Sequence, residues 1–336
     1  MPESDPILAQ EKLGFPWATQ DPFLFCVHHR DQFPAGNAQL GPQASLAGRD
    51  LGQDFADRDG WNMYHGEVVP GFPAHPHRGF ETVTVVRQGR LDHADSLGAA
   101  ARYGDGDTQW LTTGAGIVHS EMFPLLRGDA PNPVELFQIW LNLPAKRKMA
   151  QPAFKMLWDE ATPRVQLPGA EVTVVAGTFG GQTATAPPLD SWAAEPGSEV
   201  AIWVLKLQPG ASLALPPASA GVNRMLYVYG GDAVALAGHS LKAGTSARVK
   251  ADAALVLQAG TQVCEVLLLQ GRPIGEPVAQ YGPFVLNDQA GLEKAFADYR
   301  RTQFGGWPWP DQAPVHGPDP ARFARFPDGS KQAPGT

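Results

Sequence analysis

Short runs that alternate apolar and polar residues begin near residue 60 and dominate the rest of the first half of the chain. The runs are 82–86, 91–93, 109–111 and 134–141, and glycines separate them. Alternation with a period of two is typical of strands that bury one face. Many short strands joined by glycine turns predict a β-sandwich or a β-barrel.

A second set of similar runs follows a proline-containing stretch at 144–168. Its members are 171–175, 199–205, 225–229, 254–257 and 263–268. In both halves an apolar strand meets a glycine turn, at Gly89 and Gly230, and another glycine follows after about fifteen residues. The pattern predicts an all-β chain that uses one architecture twice, over 61–165 and 166–275, after an N-terminal extension at 1–60.

The C-terminal segment, 276–336, is predicted to contain one helix and an extended tail. Asp288 and the asparagine before it can cap a helix, and Leu292, Phe296 and Tyr299 then fall on one face. A pair of glycines near residue 305 ends the pattern. The last thirty residues are rich in proline and glycine but carry aromatic residues, which predicts a tail anchored on the surface.

Composition and charge narrow the class of protein. The 336 residues include 26 Lys and Arg against 34 Asp and Glu, which gives a net charge of −8, and 43% are hydrophobic. This length allows two domains with cores of their own, and the acidic balance argues against direct nucleic-acid binding. We interpret the one basic cluster, 146–148, as a solvated turn.

Location is inferred from what the chain lacks. Its apolar runs are far shorter than the ~20 residues that span a bilayer, so no membrane contact is expected. Residues 1–6 lack the order of charges and apolar residues of a secretory signal. Cys26 and Cys264 lie far apart, which indicates no disulfide framework. We expect a cytoplasmic protein.

Histidines are concentrated in the first half, where seven of the nine lie before residue 150. His75 and His77 flank Pro76, and proline favours extended backbone at itself and at the residue before it. Alternate residues of an extended chain point the same way. Two imidazoles are therefore expected to face one point.

The same spacing recurs at His119 and Glu121, just after the predicted turn at 114–116. If the two segments form neighbouring strands, three nitrogens and one oxygen converge. Such a donor set suits iron, manganese, nickel, copper or zinc, whereas calcium and magnesium prefer more oxygens. Either motif alone is more often structural, but the two together in one β domain favour a metal site.

The remaining histidines favour other roles. His93 sits between two aspartates after a turn, which predicts an exposed residue at the end of a strand rather than a ligand. His65, His28 and His29 could line a cavity, although we favour a structural role for them.

Five segments of the chain resemble segments of a known family. They are Gly71-Phe72-Pro73-Ala74-His75-Pro76-His77-Arg78-Gly79-Phe80-Glu81-Thr82, Gly106-Asp107-Thr108-Gln109-Trp110, Gly114-Ala115-Gly116-Ile117-Val118-His119-Ser120-Glu121, Phe137-Gln138-Ile139-Trp140-Leu141 and Gly282-Pro283-Phe284-Val285. These segments resemble the pirin family of the cupin superfamily, and in particular bacterial members that act as quercetin 2,3-dioxygenases. The resemblance runs from about residue 60 to 305. One departure is the segment 32–60, which looks like an insertion that covers or reshapes the mouth of the pocket.

The resemblance implies two stacked cupin β-barrels of the jelly-roll type. It places one metal, most often iron, in the N-terminal barrel, held by His75, His77, His119 and Glu121. The C-terminal barrel contains only His239 and is expected to be a structural partner without a metal.

The function implied by the resemblance is a dioxygenase that opens the central ring of flavonols with O₂ and releases carbon monoxide. Glu121 is the expected general base for the flavonol 3-hydroxyl. Gln109 or Glu81 could orient the imidazoles. Phe80, Trp110 and Phe123 are candidate walls for a flat substrate, although such residues are more often plain core.

A different class of function uses the same four ligands. The chain could be an iron-binding regulatory protein that reports redox state to a protein partner, as is proposed for eukaryotic members of the family. A dioxygenase for another small enol, or an isomerase, is a third reading, because a fold does not name a substrate.

Overall fold

The computed structural model describes residues 5–335, and nearly all of their regular secondary structure is β. The strands of the first half are β1 Ile7–Lys12, β2 Phe23–Phe33, β3 Gly71–His77, β4 Phe80–Gln88, β5 Arg90–Asp95, β6 Ala100–Gly104, β7 Thr108–Thr112, β8 Ile117–Met122, β9 Asn132–Asn142, β10 Ala153–Leu157 and β11 Arg164–Leu167. Those that follow before residue 250 are β12 Ala170–Ala176, β13 Thr178–Phe179, β14 Gln182–Thr183, β15 Ala201–Leu207, β16 Ser212–Leu215, β17 Asn223–Gly230, β18 Ala233–Leu236, β19 His239–Lys242 and β20 Thr245–Lys250. The remainder are β21 Leu255–Ala259, β22 Cys264–Gly271, β23 Ala279–Tyr281, β24 Phe284–Leu286, helix α1 Gln289–Thr302, β25 Phe323–Arg325 and β26 Lys331–Gln332.

The chain divides into two compact units that each combine separate stretches of sequence. We call the unit with most of the first half of the chain the N-terminal unit, and it comprises His28–Ile139, Ala145–Glu160 and Glu276–Thr336. The other, the C-terminal unit, comprises Ala161–Gly275 together with Trp140–Pro144 and the chain up to Val27. The sequence-based ranges 61–165 and 166–275 remain a prediction about how the chain is organised.

Two large sheets lie mainly in the N-terminal unit. One has the strand order β26-β25-β6-β5-β8-β3 and the other β10-β7-β4-β9-β2. The strands predicted at 82–86, 91–93, 109–111 and 134–141 are confirmed as parts of β4, β5, β7 and β9. A cluster of buried apolar residues that includes Phe33, Leu111 and Leu136 supports them.

Strand β2 is the long element that the apolar pattern missed. Its inward positions include His29 and Asp31, which are buried at 5% and 0% exposure. The Tyr64 hydroxyl donates to Asp31 Oδ2 at 2.6 Å, and the Asn62 backbone N–H donates to Oδ1 at 2.8 Å. Because hydrogen bonds satisfy these polar groups, they can stand where alternation leads one to expect apolar residues.

The C-terminal unit also contains two large sheets, ordered β1-β20-β17-β22-β15-β12-β11 and β16-β21-β18-β19. Its main apolar cluster includes the buried side chains of Trp203, Leu226, Leu257 and Leu268. Full burial of one such residue contributes roughly 1.5–3 kcal/mol. The five runs predicted in this half are all confirmed as strands within a few residues of their expected limits.

Helix α1 begins where the sequence predicted, because the Asp288 side chain accepts a hydrogen bond from the Gly291 N–H at 2.7 Å. It ends at Thr302, slightly before the glycine pair, because Gln303 adopts a left-handed conformation with φ 50°. Arg78 donates to Asp298 at 3.0 Å and thereby ties the helix to the segment that follows β3. Within residues 5–335, no helix has both the length and the apolar character needed to cross a membrane.

The tail is anchored as predicted. Its strand β25 pairs with β6, and the Trp309 indole donates to the Asp95 carbonyl at 2.8 Å.

The interpretation of 146–148 as a solvated turn is wrong for Lys148, which is 2% exposed. Its ammonium group donates to the carbonyls of Gly79 and Val285 at 2.9 and 3.2 Å. A short 3₁₀ turn, Ala145–Arg147, directs it inward, and burial lowers its pKa to about 8. Lysine can be buried here because backbone oxygens replace water around the charge.

Candidate metal centre

Strands β3 and β8 are neighbours, as the sequence requires if the histidines of the two segments are to converge. The register places His75 opposite His119 and Phe72 opposite Glu121, with a bulge between Phe72 and His75. Gly71 begins β3 with φ 130°, and a side chain there would come within 2.5 Å of the Glu121 carbonyl oxygen. A glycine at this position therefore permits the close approach of the two strands.

The three histidines His75, His77 and His119 face one point. One ring nitrogen from each lies within 4.8 Å of the others, and no further group of this kind was found within the described part of the chain. The ring centroids are 4.5 Å apart for His75 and His119, and 5.1 Å apart for His77 and His119. This spacing is suited to three nitrogens that share one metal ion.

Hydrogen bonds set the orientation of two of the rings. His75 Nδ1–H donates to the Pro73 carbonyl at 2.8 Å, and His77 Nδ1 lies 3.4 Å from the Pro283 carbonyl. Each bond requires the proton on Nδ1 and leaves the lone pair of the neutral ring on Nε2. Backbone carbonyls thus help to orient His75 and His77, and a part for Gln109 or Glu81 in orienting the imidazoles stays a prediction.

His119 provides the test of whether a metal fits. Both of its ring nitrogens are buried, and neither has a hydrogen-bond partner within residues 5–335. A buried polar atom without a partner is costly, and such atoms in a native protein often mark an ion or water. Coordination through one nitrogen would satisfy it, so the donor set fits a transition metal.

Burial keeps the three imidazoles neutral. It lowers the pKa of His75 to about 4 and the pKa values of His77 and His119 well below the usual 6.5. Neighbouring imidazoles add to the effect on His77 and His119. Metal ligation requires the neutral ring, so the site is in its binding form at neutral pH.

Glu121 lies beside this group rather than within it. Its Oε2 is 3.9 Å from His119 Nε2. Thr84 Oγ1 donates to Oε1 at 3.0 Å, and Gln138 Nε2 donates to Oε2 at 2.8 Å. Burial raises the pKa of this carboxyl group, while the Thr84 and Gln138 hydrogen bonds oppose that change.

Thr84 and Gln138 are the site residues that the sequence analysis missed. They lie on β4 and β9, neighbouring strands of the sheet that does not contain Glu121. The sequence feature that could have indicated them is a polar residue at an inward-facing position within each of the two apolar runs.

The expectation that His93 is exposed is wrong, since its side chain is 0% exposed. Strand β5 lies between β6 and β8, so His93 sits inside the sheet rather than at its edge. Its Nε2–H donates to Asp95 Oδ2 at 3.1 Å, and its ring is 5.5 Å from that of His119.

The three candidate wall residues are fully or almost fully buried. The Phe80 ring lies 5.1 Å from that of His77, and the Phe123 ring lies 6.1 Å from that of Phe72. Trp110 belongs to β7, in the sheet opposite the histidines. Their role as pocket walls stays a prediction.

Two family models match the chain. The pirin model covers residues 18–141, and the model of the pirin C-terminal cupin domain covers residues 202–305. A pirin-like protein of Caulobacter vibrioides is 38% identical over 78% of this chain and 90% of its own length. The chain belongs to the pirin family.

Two further proteins are similar to this chain. A Pseudomonas aeruginosa protein, whose name proposes a quercetin 2,3-dioxygenase, is 38% identical over 70% of this chain and 80% of its own length. The crystal structure of quercetin 2,3-dioxygenase from Acinetobacter baumannii superposes with a TM-score of 0.72 and 24% identity, covering 89% of this chain and 98% of that one. The structural likeness supports the fold.

The pirin match at 18–141 contains all four predicted ligands of this pirin. The three-histidine group therefore lies in the part of the chain that the family shares.

Proposed function

We propose that this pirin is a metal-dependent oxidoreductase that uses O₂ to open the central ring of a flavonol such as quercetin, with release of carbon monoxide. The observation that carries the proposal is the group of three buried or half-buried imidazoles beside the hydrogen-bonded carboxylate of Glu121. The name of the 38% identical Pseudomonas aeruginosa relative supports this choice of reaction.

The proposed architecture is a pair of cupin β-barrels, over 61–165 and 166–275, with 1–60 and 276–336 as additions. The match to the pirin C-terminal cupin domain supports this assignment for the second barrel. A cytoplasmic location remains a prediction from the sequence.

The metal would be held by His75, His77 and His119, with Glu121 as the fourth ligand. We propose iron as the bound ion, and copper, manganese, nickel and zinc are compatible with the same imidazole and carboxylate donors. When bound, the ion would act as a Lewis acid that lowers the pKa of the flavonol 3-hydroxyl.

Glu121 is positioned to accept the proton of that hydroxyl. Hydrogen bonds from Thr84 and Gln138 hold its two oxygens in place beside the imidazoles, so the carboxylate is oriented to accept a proton. The low exposure of His77, His119 and Glu121 limits the access of water to the reacting centre. Phe80, Trp110 and Phe123 are proposed as walls around the substrate.

The reaction consumes one O₂ for each flavonol. Both of its oxygen atoms enter the ester product, and one ring carbon leaves with its own oxygen as carbon monoxide. No other electron donor is needed.

The test is to purify the protein anaerobically, measure its metal content, add quercetin and O₂, and follow carbon monoxide and loss of the flavonol absorbance. Release of carbon monoxide in proportion to quercetin consumed is expected. A metal-loaded protein that releases none would contradict the proposal and favour the regulatory reading.

A further inference from the structure

A group of rings lies beside His75, on the side where the metal centre is least buried. His75 is half-buried, whereas His77 and His119 are buried. The Phe72 ring is 6.4 Å from that of His75, the His65 ring is 5.7 Å from that of Phe72, and the Phe55 ring is 5.1 Å from that of His65. The rings thus form a continuous wall that starts at a predicted metal ligand.

His65 has an unused hydrogen-bond acceptor in this wall. Its Nδ1–H donates to the Gly52 carbonyl at 2.7 Å, which places the lone pair of the neutral ring on Nε2. Within the described part of the chain, Nε2 has no hydrogen-bond partner, and it is not a buried atom. Only the Phe72 ring stands between it and the predicted ligand His75 in this series of rings, with centroid separations of 5.7 Å and 6.4 Å.

The segment that carries these groups is held in place. Asp54 and Tyr64 exchange two backbone hydrogen bonds of 2.9 Å each. Arg49 donates to the Asp54 carboxylate at 2.8 Å, and its guanidinium lies 3.3 Å from the centre of the Trp61 ring. Phe55 and His65, which flank this bridge, are therefore presented by a fixed scaffold rather than by a loose loop.

We propose that His65 determines which flavonols bind, by accepting a hydrogen bond at Nε2 from a phenolic hydroxyl on the substrate's pendant ring while Phe55 and Phe72 pack against its flat surface. The inference rests on the proposed function. It adds that the substrate class is flavonols hydroxylated on the pendant ring. It also assigns a role to the segment 32–60, which supplies Phe55 and the Gly52 carbonyl that orients His65.

Binding is best measured without turnover, on the metal-loaded protein without O₂. Absorbance titrations would compare quercetin, which has two hydroxyls on the pendant ring, with galangin, which has none. One hydrogen bond between neutral groups changes affinity by about 3- to 10-fold. We expect wild type to bind quercetin more tightly by that factor and His65→Phe to lose the preference while keeping its metal.

Two further variants make the result specific. His65→Gln retains a donor for the Gly52 carbonyl and an acceptor for the substrate, so it should recover part of the preference. His239→Phe changes an exposed histidine of the C-terminal unit and should retain all of it. If His65→Phe does not fold, as judged by its melting temperature, His65→Leu replaces it, and retention of the preference by His65→Leu would overturn the inference.

The outcomes separate the two proposals. If His65→Phe retains the wild-type preference and carbon monoxide is still released, only the role of His65 is wrong. If wild type shows the preference but releases no carbon monoxide, the proposed reaction fails and the recognition site stands. If the wild type binds neither compound, both fail.

Discussion

Glu121 Oε2 lies 3.9 Å from His119 Nε2, and only Ser120 separates the two residues on strand β8. One short strand therefore supplies two predicted metal ligands, one of which, Glu121, is also the predicted base. The opposite strand β3 supplies the other two imidazoles. This arrangement separates two effects that mutation can test, namely loss of the metal and loss of proton transfer.

Replacing any one of His75, His77 and His119 by Ala should strip most of the metal, because each removes one donor from a group whose nitrogens lie within 4.8 Å. We expect at least a tenfold loss of metal content, measured by elemental analysis after dialysis, and about one ion per wild-type chain. His239→Ala is the control and should retain the wild-type content. Two tightly held ions per chain would contradict the single site.

Glu121→Gln should retain much of the metal but lose turnover. The amide is of similar size but cannot accept the substrate proton, and removal of a general base typically costs 10²- to 10⁴-fold in rate. Measuring kcat together with metal content separates the two roles. A variant that degrades flavonol at the native rate would show that Glu121 is not the base.

Thr84→Val and Gln138→Ala should each move the acidic limb of the kcat/KM profile to higher pH. Each of these hydrogen bonds stabilises the ionised carboxylate of Glu121, so the pKa of Glu121 rises when the bond is removed. Thr82→Val is a matched control, because Thr82 is buried two residues earlier on β4 and its hydroxyl has no partner within residues 5–335. An unchanged limb in both variants would contradict the assigned contacts.

The motifs around His75 and His119 could be predicted because the alternation of an extended chain is a local property. Two residues are enough to decide that both side chains point the same way. The contacts of Thr84 and Gln138 with Glu121 could not be predicted, because they depend on which strands face each other across two sheets. The same applies to the carbonyl of Pro283, which lies 206 residues from the His77 ring that it orients.

Exposure was the least predictable property. His93 looks like a strand end in the sequence, but strands β6 and β8 enclose it and the His316 Nε2–H donates to its carbonyl at 2.8 Å. Lys148 looks like part of a charged turn, yet it is buried, and its ammonium group donates to two carbonyls that are distant in the sequence. In each case residues far away in the sequence determine whether the side chain is buried, so a local sequence pattern cannot predict its exposure.

Arg102→Ala should strongly destabilise the N-terminal unit. Arg102 and Asp92 are both 0% exposed, and the guanidinium donates to both carboxylate oxygens at 2.7 and 2.6 Å. It also donates to the Asp319 carbonyl and so helps to anchor the tail. Removal of one partner from a buried ion pair costs about 3–5 kcal/mol, measurable by urea unfolding. Arg300→Ala, at an exposed position of α1, should cost far less, and equal losses would argue against a role for the buried pair.

His29→Gln should reduce the loss of stability in acid. His29 is buried, and its Nδ1–H donates to the Tyr64 hydroxyl oxygen at 2.9 Å, while that hydroxyl donates to Asp31. Burial lowers the pKa of His29 to about 3. The unfolded chain therefore binds a proton near pH 6.5 that the folded chain rejects until about pH 3, so acid favours unfolding across this window.

Between pH 7 and pH 5 this one group should reduce the free energy of unfolding of the wild type by about 2 kcal/mol. Burial raises the pKa of Asp31 to about 6, which has the opposite sign because the folded chain then holds the proton more tightly. Asp31 and the three metal-site histidines are present in both proteins, so they largely cancel in the comparison. Urea unfolding of both proteins at pH 7 and pH 5 gives the difference directly, and equal pH slopes would show that His29 is not neutral in the folded state.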